Sequence, residues 1–134
     1  MPSESNEQAI VDAIVERLKT VADTRLGYSA IGLEDSLSTP AILVQLENLV
    51  ETARQGSREK LQLQFNISAV VKTSKETTSE LLSLTRQVRE ALNPVDRLNP
   101  ASRSHTLSDT RFDIAPSRGQ LSFADSTLTV EAIL

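Results

Sequence analysis

The histidine at position 105 is the first residue to consider for catalysis, because it is the only histidine and lies near two serines and an aspartate. Ser102, Ser104 and Asp109 could supply the other members of a nucleophile, base and acid triad around His105. All four residues fall in or beside one loop, where a buried and oriented arrangement is difficult to build. We therefore interpret His105 as a solvated loop residue, and no catalytic residue is predicted.

Metal, cofactor and phosphate chemistry is also poorly supported by the residue types. The chain has no cysteine, and its acidic residues are spread singly apart from the adjacent pair Glu34 and Asp35. The spacing of a calcium-binding loop does not occur. The four glycines are isolated, so no glycine-rich phosphate loop is predicted. We expect no metal site, no cofactor and no enzymatic activity.

Two groups of basic residues remain as candidates for a binding surface. Arg54, Arg58 and Lys60 surround one predicted loop, and Arg97 and Arg103 lie in another. With three Phe, one Tyr and no Trp in the chain, these charges are not interleaved with aromatic rings on which bases could stack. We interpret both groups as solvated loop charges more readily than as a nucleic-acid surface.

Size and composition predict a single folded domain over residues 1–134. Hydrophobic residues make up 39% of the chain and charged residues 24%, which is sufficient for a core of Leu, Ile and Val. The longest apolar runs, such as residues 41–44, are far too short to cross a bilayer. The acidic, polar N-terminus is unlike a secretory signal. We expect neither membrane insertion nor export.

Charge is distributed unevenly along the chain. The net charge is −4, with −6 over residues 1–51 and +2 over residues 52–134. The overall negative charge argues against bulk binding to nucleic-acid phosphates. The asymmetry suits a subunit that pairs head to tail with copies of itself, although such asymmetry is more often accidental.

Hydrophobic periodicity predicts a helix, two strands and a second helix in the first part of the chain. The first helix runs from about Asn6 to Arg25, with Gly27 as a left-handed C-cap. Alternating residues after Pro40 predict a strand, and strict alternation over residues 61–72 predicts a second, longer one. A polar hairpin loop at residues 53–58 joins these two strands.

A helix over about residues 79–92 follows, and residues 94–103 form a long loop. The strands at residues 106–114 and 120–134 are joined by a turn, and Asp125 and Ser126 are a candidate bulge or turn in the last strand. The predicted fold is α+β, a largely antiparallel sheet with two helices on one face and the order α-β-β-α-β-β.

These elements together resemble a known family. The helix that begins at residues 9–14, the strand of residues 41–46 after Pro40, and the long strand followed by the helix at residues 79–92 resemble the tail terminator, or tail-completion, proteins of tailed bacteriophages. The similarity is greatest to those of contractile-tailed phages. It covers nearly the whole chain and depends on element order and size, so no functional residue is transferred from the family.

The resemblance implies a structural protein of the virion tail or neck, assembled in the host cytoplasm. Such proteins form a ring, usually of six subunits, that caps the completed tail tube, stops its polymerisation and offers a surface for joining the head. The implied partners are further copies of the chain, tail tube and possibly sheath proteins, and head-tail connector or neck proteins. Genomic DNA would pass through the lumen without sequence-specific binding.

A closed ring requires each subunit to present two different surfaces to its neighbours. We expect the loops at residues 51–59 and 93–105 to lie on the faces or lumen of the ring, with a strand edge between neighbours. The candidate interface residues are Arg54, Arg58, Lys60, Arg97 and Arg103.

Two other interpretations stay open at the level of sequence. A different neck protein, such as a head-tail connector of similar size, would have the same general features. A small non-enzymatic ligand-binding or regulatory domain would need a pocket, and the scarcity of aromatic and convergent polar residues makes that interpretation weaker.

Overall fold

The computed structural model describes residues 6–27, 39–56, 58–100 and 102–133. Within these residues the chain forms two helices, α1 (Asn6–Lys19) and α2 (Thr77–Ala91). The six strands are β1 (Asp23–Leu26), β2 (Ala41–Gln55), β3 (Arg58–Lys72), β4 (Ser102–Leu107), β5 (Arg111–Asp113) and β6 (Leu121–Ile133). The predicted element order is confirmed, with β1 and β5 as additional short strands.

The strands form one mostly antiparallel sheet in the order β1-β2-β3-β6-β4, and β5 also pairs with β6. β3 is central, because it pairs with β2 on one side and with β6 on the other along almost its whole length. Its strict alternation places every second residue on one face, where Leu63 and Phe65 are fully buried. β1 is the parallel member, with Asp23 opposite Ala41.

Both helices pack on the same face of the sheet. α1 buries Ile10 and Ile14, whereas α2 buries Leu81 and Val88. Ile10, Ile14 and Val88 pack with apolar residues of β2, β3 and β6 in the main core, whereas Leu81 packs in a smaller cluster with β3 and β6. Each fully buried side chain contributes about 1.5–3 kcal/mol from removal of apolar surface from water. The predicted arrangement of two helices on one face of a largely antiparallel sheet is confirmed. Neither helix has the combination of length and apolar content that spanning a bilayer requires.

The first helix is shorter than the periodicity predicts. It ends at Lys19 and not at Arg25, because the amides of Val21 and Ala22 both donate to the carbonyl of Leu18 and close the last turn. The following residues form β1 in parallel with β2.

The predicted helix C-cap at Gly27 is therefore wrong. Gly27 lies after β1 with φ of +79°, and its amide donates to the carbonyl of Val44 over 2.7 Å. It thus ends a strand and not a helix, and its left-handed backbone is the conformation that favours glycine.

The hairpin loop between β2 and β3 is tighter than predicted. The two strands pair as far as Gln55 opposite Arg58, and Gly56 turns the chain with φ of +61°. The predicted bulge at Asp125 and Ser126 is wrong, since both continue the β6 ladder in register with β3.

The strand predicted over residues 106–114 is divided in two. Between β4 and β5 the amide of Ser108 donates to the carbonyl of Thr127, while the guanidinium of Arg89 on α2 donates to the Ser108 carbonyl and to Thr110 Oγ1, the latter over 3.0 Å. The bonds from Arg89 hold residues 108–110 toward α2, and the pairing with β6 resumes only at Arg111. β4 also begins at Ser102, so the end of the predicted loop is strand.

Candidate functional site

His105 lies on β4 and is buried, with only 2% of its surface exposed. Its Nε2 is 2.9 Å from the carbonyl oxygen of Leu92 and 3.1 Å from that of Asn93. Because both partners are acceptors, Nε2 carries the proton and donates to the end of α2. The prediction of a solvated loop histidine is wrong, because residue 105 is part of β4 and its ring is buried against the end of α2.

The residues that could form a triad are not brought together. Ser104 follows the opposite face of the sheet from its neighbour His105, and Ser102 Oγ donates to the carbonyl of Asn99 over 2.8 Å. Asp109 is exposed beyond the end of β4. His105 Nδ1 has no hydrogen-bond partner among the described residues, so no carboxylate orients this ring. The geometry assigns His105 a structural position between β4 and the end of α2.

No group of three potential metal ligands is close enough to hold an ion within the described residues. A small cavity between α2 and the sheet has a volume of about 10 Å³, and Thr85, Ile67 and Ser126 are among its lining residues. Thr85 Oγ1 faces no hydrogen-bond partner there. The space holds about one water molecule and is too small for a metabolite.

The structure brings together two of the five predicted interface residues. Lys60 at the start of β3 and Arg103 on β4 both line a depression at one end of the sheet, together with Glu131 of β6. The sequence predicts Arg103 in a loop, but the pairing of β4 with β6 carries it onto the sheet near the start of β3. Two cationic side chains and one carboxylate are therefore exposed to solvent at this end of the sheet.

The other predicted interface residues lie apart from this depression. Arg54, near the tip of the β2–β3 hairpin, is exposed and its Nε lies 2.9 Å from Glu51 Oε1. Arg58 is the first residue of β3, on the other side of the same turn, and the structure does not describe its side chain. Arg97 follows α2, where its carbonyl accepts a bond from Arg17 of α1. The structure thus separates Arg97 from Arg103, which the sequence placed in one loop.

The surface that sequence reasoning missed is the second half of β2, residues 45–55, which we call the free half. β1 pairs only with residues 41–44, so the outer edge of the free half has no strand beside it among the described residues. Leu46, Leu49 and Val50 expose 45%, 47% and 40% of their surface there. The alternation in the sequence predicts the strand, but only the strand order identifies which edge is open.

Comparison with known proteins identifies related sequences and folds. The sequence model of a family described as phage tail terminator protein matches residues 9–129. A solved structure described as the virion of a native gene transfer agent (GTA) particle contains a chain that superposes with a TM-score of 0.65. The two chains are 12% identical, and the superposition covers 98% of this chain and 100% of the other, which establishes a shared fold. No curated protein sequence matches significantly.

Proposed function

Because the chain belongs to the phage tail terminator family, a structural family of the virion, we propose that it forms a ring that caps the tail tube. In this proposal the ring stops polymerisation of the tube at its full length and provides the surface to which the head joins. The observation that carries the proposal is the family match over residues 9–129, which spans almost the whole fold. The chain acts as one non-enzymatic domain over residues 1–134, without a cofactor.

The partners follow from that role. Copies of the chain contact one another around the ring, which has six subunits in the proposed form. One face binds the tail tube, and the sheath if the tail is contractile, while the other meets the connector or neck. Genomic DNA passes through the lumen with no sequence-specific contact. The subunits assemble in the host cytoplasm and remain in the virion at the junction of tail and neck.

The basic residues supply candidate contacts for these partners. Lys60 and Arg103 line one depression at the hairpin end of the sheet, and Arg54 is exposed on the same hairpin. Together with Arg58 and Arg97, they place positive charge where a neighbour, the tube or passing DNA could meet it. Glu131 in the depression and Glu51 beside Arg54 partly neutralise the positive charge of the basic residues. Such mixed charge suits contacts with protein better than bulk binding to phosphates.

The direct test is a phage in which a stop codon interrupts this gene. We expect electron microscopy of the lysate to find headless tails of irregular and excessive length, and a plasmid copy of the gene to restore joined particles. A matched phage with a stop codon in a head gene should produce tails of normal length. Headless tails of normal length would instead assign the chain to a connector, and infectious particles without the protein would contradict any role in the tail or neck.

A further inference from the structure

The loop after α2 and the depression at the hairpin end of the sheet have complementary surfaces. We infer that residues 93–97, which we call the projecting loop, insert into the depression of the next copy, and that this contact repeats head to tail. The occupant of the depression is a second copy of this chain. The inference rests on the proposed ring, since it names a contact between its subunits.

The projecting loop presents an apolar side chain to solvent between two anchors in the core. All five of its residues are exposed, whereas Leu92 before it and Leu98 after it are buried in the main core. Val95 exposes 87% of its surface, more than any other large apolar residue in the part of the chain that the structure describes. Burial of this valine against a partner removes apolar surface from water and favours association.

Hydrogen bonds hold the projecting loop in one shape. The amide of Val95 donates to Asn93 Oδ1 over 3.0 Å, and the amide of Asp96 donates to the carbonyl of Asn93 over 3.1 Å. The guanidinium of Arg17 on α1 donates to the carbonyl of Asp96 over 2.9 Å and to that of Arg97. Because these bonds form within the subunit, the loop loses little conformational entropy when it inserts into a partner.

The depression has the size and lining to receive the tip of such a loop. Its volume of about 380 Å³ equals that of roughly twelve water molecules at about 30 Å³ each. The buried residues Leu61 and Ala132 line it together with the exposed side chains of Lys60, Arg103 and Glu131. A lining that is partly apolar and partly charged suits a loop that carries both kinds of side chain.

The charges of the two surfaces are complementary. Beside its exposed valine the projecting loop carries one acid, Asp96, and one base, Arg97. The depression carries two bases, Lys60 and Arg103, and one acid, Glu131. In the part of the chain that the structure describes, neither base of the depression forms an ion pair. Insertion of the loop brings Asp96 to these bases and Arg97 to the acid, and such pairs fix the partner and its register.

The projecting loop and the depression lie on different layers of the fold. Val130 and His105 point into the core, so the next residues on their strands, Glu131 and Ser104, point to the face of the sheet that bears no helix. The projecting loop follows α2 and is bonded to Arg17 of α1, so it belongs to the helix layer. The contact therefore uses two different surfaces, as a head-to-tail ring requires, and it needs no pairing between strand edges.

Disulfide trapping tests the contact in a chain that has no cysteine of its own. Val95→Cys places a thiol at the tip of the projecting loop, and Ser104→Cys replaces an exposed hydroxyl that lines the depression. Oxidation of a mixture of the two purified single variants, followed by non-reducing electrophoresis, should produce a covalent dimer. The double variant should form a ladder of dimers, trimers and larger species, because each copy then carries both thiols.

Two controls make the cross-link specific. Each single variant should remain unlinked when it is oxidised alone. A mixture of Val95→Cys with Leu82→Cys, which places its thiol on the exposed surface of α2, should also remain unlinked. Both positions are exposed, so the substitutions leave the core unchanged, and thermal unfolding of each variant verifies this.

Charge reversal with rescue tests the proposed ion pairs. Asp96→Lys in the Val95→Cys chain should slow cross-linking to the Ser104→Cys chain by about tenfold or more, because like charges then meet in the depression. Arg103→Glu in the Ser104→Cys chain should restore the rate. Asp109→Lys makes the same change in charge at an exposed position beyond the end of β4 and should leave the rate unchanged.

The outcomes separate this inference from the proposed function. Cross-linking only in the mixture and the double variant, with rescue by the second charge reversal, supports the contact. Dimers of Val95→Cys alone, or a double variant that stops at dimers, would overturn the head-to-tail contact. Absence of a cross-link to Ser104→Cys and to Thr52→Cys, a second position in the depression, would also overturn it, even if native mass spectrometry of the wild type finds a closed ring. The phage with a stop codon in this gene tests the proposed function independently.

Discussion

The two halves of β2 differ in burial and in strand pairing. Residues 41–44 are buried, pair with strands on both sides, and include Ile42 and Val44 with no exposed surface. In the free half, Leu46 and Leu49 have similar apolar side chains but remain almost half exposed. One continuous strand therefore has a buried half and a partly exposed half. Its first half stabilises the subunit, whereas the apolar side chains of its second half remain partly in contact with solvent.

The largest expected difference between the halves is in the free energy of unfolding. Ile42→Ala removes a fully buried side chain from the main core and should lower that free energy by about 2–5 kcal/mol. Leu46→Ala in the free half should cost less than about 1 kcal/mol when the protein is dissociated. Urea denaturation at low protein concentration measures both. If the two variants lost the same free energy of unfolding, the expected difference in stability between the two halves of β2 would be contradicted.

A smaller effect is expected on β4, where a buried residue lies between exposed ones. His105→Phe keeps a ring in the core but removes the donor to the carbonyls of Leu92 and Asn93. The free energy of unfolding should fall by about 1–3 kcal/mol, because the buried carbonyl of Leu92 loses this donor, whereas that of Asn93 still accepts from the amide of Asp96. Thr106→Val, at the exposed neighbour, should change it by less than about 0.5 kcal/mol. Urea denaturation of both variants tests this prediction. Equal changes in the free energy of unfolding for the two variants would contradict it.

In the free half, a substitution should affect association and leave folding almost unchanged. Leu49→Arg places a charge on the exposed edge, so unfolding of the isolated subunit should change by less than about 1 kcal/mol while the oligomer dissociates. Native mass spectrometry should find the subunit distribution shifted to monomer. Leu82→Arg is the matched control, since Leu82 is 54% exposed on α2. An oligomer that persists in Leu49→Arg would count against this edge.

The smallest effect on stability is expected at the hairpin tip. Arg54→Glu with Arg58→Glu breaks the exposed ion pair between Arg54 and Glu51, which contributes about 0–1 kcal/mol. We expect unchanged thermal unfolding but abnormal tail length or reduced phage yield. Arg86→Glu with Arg118→Glu makes the same change in charge at exposed positions elsewhere. A normal yield from the hairpin variant would remove this tip from the assembly surface.

The local sequence pattern predicts the elements whose structure depends on residues close together along the chain. The alternation of apolar and polar residues predicts β3, and the spacing of Leu81, Leu84 and Val88 predicts α2. The end of α1 was missed because β1 forms only through its parallel pairing with β2, a partner far along the chain. Val21 continues the helical apolar spacing, so the pattern alone extends the helix too far.

The sequence predicts the candidate site less completely than it predicts the fold. The burial of His105 depends on the contact between β4 and the end of α2. Local sequence pattern does not predict this contact. The meeting of Lys60 with Arg103 depends on strand order and register. The exposure of Leu46 and Leu49 on β2 depends on where β1 ends, within the part of the chain that the structure describes. In each case the missing information is a contact between residues distant in sequence.

Strands β2 and β4 contain extra residues relative to the strands with which they pair. These bulges fall at Glu47 and Thr52 in β2 and at Arg103 in β4. A bulge bends its strand and increases the local twist. All three bulges lie toward the hairpin end of the sheet, so the bending and the added twist are concentrated there and not beside residues 41–44, where the ladder is regular.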